Sequence, residues 1–88
     1  QIKSIPIQIM NLLNLRKLIL DNNQIEILPL QIGKLTNLCE LNLGYNKIIK
    51  IPTLLGILNN LKYLKLGNNP IKFSNYSILD NTTFQIKR

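Results

Sequence analysis

The sequence predicts an α/β solenoid in which one coil, a short strand with a short helical return, is copied along an axis. Three observations predict it. Leu15, Leu18, Leu20 and Asn23 recur 23 residues on as Leu38, Leu41, Leu43 and Asn46, and again as Leu61, Leu64, Leu66 and Asn69. A fixed period of roughly 20–50 residues marks a stack of one supersecondary unit. Within each copy the second and third leucines alternate with other residues, as in a strand with one buried face. The steps Pro29-Ile32-Leu35 and Pro52-Leu55-Leu58 read as one or two turns of helix or 3-10 helix, with proline in the first turn where its missing N–H costs nothing.

The elements follow in chain order. Ile2, Ile5, Pro6, Ile9, Leu12 and Asn14 stand where Ile25, Leu28, Pro29, Ile32, Leu35 and Asn37 stand one period later. Residues 1–14 are therefore the end of one unit, and 15–37, 38–60 and 61–83 are three full ones. Phe84 takes the place of Leu61, so 84–88 begin another. The first two full copies share nine identical positions. The third lapses after its strand, because Ser74 and Asn75 replace Ile51 and Pro52, and Asn81 replaces Leu58. An irregular return is expected there. The chain begins and ends inside a unit, so flanking repeats of a longer array are expected. Alone, its end units should leave apolar faces and strand edges open, and self-association should follow.

Written out, the unit is L-x-x-L-x-L-x-x-N-x-I-x-x-[LI]-P-x-x-[IL]-x-x-L-x-N, which resembles the leucine-rich repeat family in its 23-residue form. The resemblance implies a curved parallel sheet on a concave side and short helical or 3-10 turns on a convex side. It also implies that Asn23, Asn46 and Asn69 are structural, forming a hydrogen-bonded ladder between turns. A buried amide suits that task because it both donates and accepts. Leu18 with Leu20, Leu41 with Leu43, and Leu64 with Leu66 should point inward, and the residues between them outward.

The chain offers little to catalysis. It has no histidine and one cysteine, Cys39, which excludes an internal disulfide and thiol-rich metal sites. Asp21 and Glu40 fall at opposite ends of adjacent strands, about 14 Å apart, beyond the roughly 5–9.5 Å that a carboxylate pair needs. No enzyme activity and no cofactor are expected. The net charge of +7 is not gathered into a stripe: three lysines and two acids leave +1 on the concave side. Nucleic acid is therefore not an expected partner. No stretch is long enough to span a bilayer. A lone cysteine points towards the cytoplasm, with a secreted effector or extracellular setting left open. Asn75-Tyr76-Ser77 and Asn81-Thr82-Thr83 match the glycosylation pattern, for which chance in an asparagine-rich chain is sufficient explanation.

What remains is protein binding. Lys17, Ile19, Asp21, Glu40, Asn42, Tyr45, Lys47, Tyr63 and Lys65 are the candidate contact residues, with Tyr45 and Tyr63 as aromatic anchors. Three strands give a patch about 10 by 17 Å, short of the roughly 800 Å² a stable interface takes from each partner. The expected function is a protein-binding or scaffold module. The alternative is the recognition segment of a signalling enzyme or secreted effector, of GTPase, kinase or ubiquitin-ligase type, whose catalytic domain lies elsewhere.

Overall fold

The computed structural model describes residues 1–51, 55 and 58–72, together with the backbone of 83–85. Strands β1 (Lys17–Ile19), β2 (Glu40–Asn42) and β3 (Tyr63–Lys65) are each three residues long. They lie side by side and parallel, with Lys17 beside Glu40 and Glu40 beside Tyr63. Every partner is 23 residues away, so the sequence period and the strand register are the same quantity. Backbone bonds extend the pairing past the strands, from Leu20 N to Asn42 O at 2.8 Å and from Leu43 N to Lys65 O at 2.8 Å.

Two 3-10 helices, η1 (Ile7–Asn11) and η2 (Leu30–Lys34), pack against each other on the return side. Each follows a proline, Pro6 or Pro29, that caps the helix rather than occupying its first turn as the sequence suggested. The reason lies in the carbonyls: Pro6 O accepts from Ile9 N and Pro29 O from Ile32 N, both at 3.1 Å. The prolines thus close the first 3-10 turn from outside it, at an extended ψ of 146° for Pro29. In 3-10 geometry residues three apart eclipse, which brings Ile32 and Leu35 over the core, both fully buried. Pro52 and the 74–82 return lie outside the described residues.

Thr83–Gln85 forms β4 and departs from the expected all-parallel sheet. It runs antiparallel to β3, with Phe84 opposite Leu64, whereas the frame sets Phe84 in the place of Leu61. A parallel strand must be reached through a crossover of a dozen or more residues, usually helical, while an antiparallel one needs only a reversal. The sequence before β4 lacks the aliphatic and proline that the earlier return paths use.

Leu41, Leu43 and Leu64 are fully buried and Leu66 is 1% exposed, so the inward set is as expected. Leu20 is only half-buried, like Ile2, Ile9 and Leu15 of the same end. Leu12 is exposed although Leu35 and Leu58, at the same frame position, are fully buried. No described strand lies on the outer side of β1. An apolar end face beside an open strand edge is a template for association. Sedimentation velocity of the 88-residue chain should show mass rising with concentration; a single monomer boundary at high concentration would contradict this.

Candidate protein-binding face

The outward face of the sheet is assembled by alternation alone. With Leu18, Leu41 and Leu64 turned to the core, the residues on either side of each turn the other way. Lys17, Glu40 and Tyr63 form one row across the strands; Ile19, Asn42 and Lys65 form the next. Ile19 and Tyr63 are 49% and 45% exposed, high for large apolar groups. Lys65 Nζ reaches diagonally to Glu40 Oε2 at 3.8 Å. Both side chains retain solvent, so this pair holds the two rotamers more than it stabilises the fold.

Beyond the strand ends the two rows run into a depression of about 230 Å³, lined by Asp21, Asn42, Gly44, Tyr45, Lys65, Gly67 and Asn68. Asp21 Oδ2 accepts from Asn22 Nδ2 at 3.0 Å, and Asn42 Oδ1 accepts from Gly44 N at 3.1 Å. The carbonyls of its two glycines accept backbone bonds, Gly44 O from Asn22 N and Gly67 O from Tyr45 N. Eight of the nine candidate residues thus line the two rows or the depression. Lys47 follows the ladder asparagine, with its N–H bonded to Ile25 O and its side chain exposed.

Behind this face the asparagine ladder is in place. Asn23, Asn46 and Asn69 Oδ1 accept from Ile2, Ile25 and Ile48 N, each bond joining one unit to the one before. Their Nδ2 groups donate to carbonyls of the turn, among them Leu20, Leu43 and Leu66. Asn46 is the one buried polar residue among those described.

Three features were not read from the sequence. Asn22, Tyr45 and Asn68, one per unit, have φ of 58°, 56° and 62°. Asparagine tolerates this left-handed backbone; for other residues it costs roughly 1–2 kcal/mol, so Tyr45 is strained. The signal available was the pair of asparagines at equivalent positions. A second row of amides, Asn37 to Leu13 O and Asn60 to Thr36 O, crosses between units at 3.1 and 2.9 Å. Its signal was the asparagine closing each unit. Finally, Ile27, Leu30 and Ile49 are exposed and line an open apolar groove of about 540 Å³ on the return side. No pattern marked them, because isoleucine and leucine occur at every kind of position here.

Among the described residues no group of histidine, cysteine or acid side chains is placed to hold a metal. No described helix is long and apolar enough to cross a membrane. A family model for the leucine rich repeat matches residues 13–71, two-thirds of the chain. No curated protein matches it.

Proposed function

Because the chain belongs to the leucine-rich repeat family, whose domains generally mediate protein–protein interaction, we propose that it binds a protein partner through the outward face of its sheet. On this reading that face is the concave wall of a solenoid. The observation that supports this most is the grid of Lys17, Ile19, Glu40, Asn42, Tyr63 and Lys65, in which two large apolar groups stand uncovered among mixed charges. Hot spots have this composition: aromatic or aliphatic anchors inside a polar surround. The sole cysteine, Cys39, is unpaired and suits a reducing compartment such as the cytoplasm.

The grid is tested by Ile19→Ala and Tyr63→Ala, with Ile27→Ala on the return side as control. Each grid variant should weaken partner capture about tenfold, near 1.4 kcal/mol. Melting temperatures should move little, because neither side chain is buried. Equal loss with Ile27→Ala would place the interface on the other side. Capture that falls steeply with salt and survives both grid variants would favour an anionic surface or nucleic acid.

A further inference from the structure

At the starts of the strands, away from the sheet face, two cations meet that no acid offsets. Arg16, Cys39 and Lys62 each stand one residue before β1, β2 and β3, and Asn14, Asn37 and Asn60 come two residues earlier. Together the six line an open cleft of about 560 Å³, within the usual size of small-ligand sites. The row beneath it is fixed by the backbone: Arg16 O accepts from Cys39 N at 2.7 Å, and Cys39 O from Lys62 N at 2.9 Å. Neighbouring strands lie about 4.8 Å apart, so Arg16 and Lys62 flank Cys39 with their backbones about 10 Å from each other.

Both cations are exposed, and neither forms an ion pair with a described residue. None of the described acids lines the cleft. Asp21 lines the depression at the other end of the strands, and Glu26 the return-side groove. Glu40 lies on the sheet face, where Lys65 meets it at 3.8 Å. Charges on the sheet face are mixed; here two positive ones stand alone. A cleft lined by one sign of charge concentrates counter-ions of the other. Asn37 and Asn60 commit their Nδ2 groups to Leu13 O and Thr36 O. Asn14 Nδ2 donates to no described residue.

We infer that this cleft is a binding site for a phosphate monoester, held between Arg16 and Lys62 with the Asn14 amide as a further donor. The site is separate from the sheet face and does not depend on that face binding a partner. Charge selects the ligand. A carboxylate would offset one of the two cations, whereas a phosphate monoester carries about −1.5 to −2 near neutral pH. Its three oxygens also suit the donors, because a guanidinium can engage two of them as a fork and an ammonium the third.

Cys39 is the chain's single cysteine, so its thiol reports on this cleft alone. Its reaction with a neutral dipyridyl disulfide and with dianionic dithiobis-nitrobenzoate is followed on the full chain at low ionic strength. Thiol reactivity enters both rates, and their ratio isolates the charge around the thiol. The dianion-to-neutral ratio should fall about threefold on Arg16→Gln and on Lys62→Gln, the effect of one unit charge about 7 Å away in water. Lys50→Gln removes the same charge in the return-side groove and should leave the ratio unchanged. All three residues are exposed, so their urea midpoints should stay in place.

Inorganic phosphate and acetyl-phosphoserine amide should each slow the neutral reagent and saturate, while acetate at matched ionic strength should not. Arg16→Gln and Lys62→Gln should remove that protection. Protection by the phosphoserine amide at lower concentration than by phosphate puts the ligand on a protein side chain; the reverse order makes it the free ion. A ratio that shifts no more in Arg16→Gln and Lys62→Gln than in Lys50→Gln overturns the inference, as does acetate protecting as well as phosphate. A thiol that reacts with neither reagent would mean that the cleft admits no ligand, which overturns it too.

Discussion

Replacing Asn46 with leucine should lower the unfolding free energy by about 3 kcal/mol, the largest loss expected from any polar substitution in the described residues. The two side chains are similar in size, so the effect isolates hydrogen bonding from packing. Asn46 Oδ1 accepts from Ile25 N at 3.0 Å, and its Nδ2 donates to Leu20 O, Leu43 O and Gly44 O at 3.1, 2.9 and 3.2 Å. Ile25 and Leu20 belong to the preceding unit, Leu43 and Gly44 to its own. One amide therefore joins two coils at a turn that is 7% exposed, where water cannot easily replace it. Leucine would leave the Ile25 N–H unpaired in the interior, and such an orphan costs roughly 1–3 kcal/mol before the carbonyls are counted. For a domain of this size the melting temperature should fall by more than about 10 °C. Asn23→Leu should cost less, because Asn23 is only partly buried.

Asn46→Asp adds a pH dependence. It keeps the acceptor for Ile25 N but sets a carboxylate against three carbonyls, which raises the folded-state pKa above its unfolded value. The penalty is then full above the folded pKa and is relieved as pH falls, when the protonated acid can donate. The gap to the parent chain should narrow on acidification. A gap that is flat with pH, or an unchanged midpoint for Asn46→Leu, would mean that the turn carbonyls reach water.

The placement of these asparagines was legible because a polar residue recurring in an aliphatic frame has few explanations other than a repeated backbone need. Leu41, Leu43, Leu64 and Leu66 were legible because period-2 alternation and burial are the same fact seen twice. The face opposite them followed, and with it the two strand rows; Lys47 lies past the strand end, where alternation gives no direction. What sequence could not give depends on neighbours rather than letters. Leu20 and Leu43 are the same residue at the same frame position, and only the second follows a strand that has a strand on both sides. Met10 is buried at the position Gly33 holds in the next unit, so frame identity did not carry over to volume. Tyr45 took its conformation from the turn, against its own preference. β4 pairs antiparallel to β3 where the frame set the start of another unit.

The dependence on neighbours is itself measurable, and it gives the second large effect. Leu43→Ala should cost about 3–4 kcal/mol and Leu20→Ala about half that, although the residues are equivalent in sequence. Leu43 is fully buried and Leu20 half-buried. In a stack, each coil's stability is its own term plus the contacts with the coils on either side. Leu43 lies in the middle coil, and a methyl in its place leaves a cavity that both neighbours line. Leu20 lies towards the open end, where the truncated side chain would have been partly in water. Leu41→Ala against Leu18→Ala should show a smaller contrast, because Leu18 is only 8% exposed, close to the fully buried Leu41. Urea unfolding at equal slope measures each difference. Equal costs for Leu20 and Leu43 would mean that each coil is held by its own contacts, and stacking could then no longer explain why this 88-residue chain has a core. Domains of this kind have only about 5–15 kcal/mol to lose, so Leu43→Ala should bring the chain near its limit while Leu20→Ala leaves it folded.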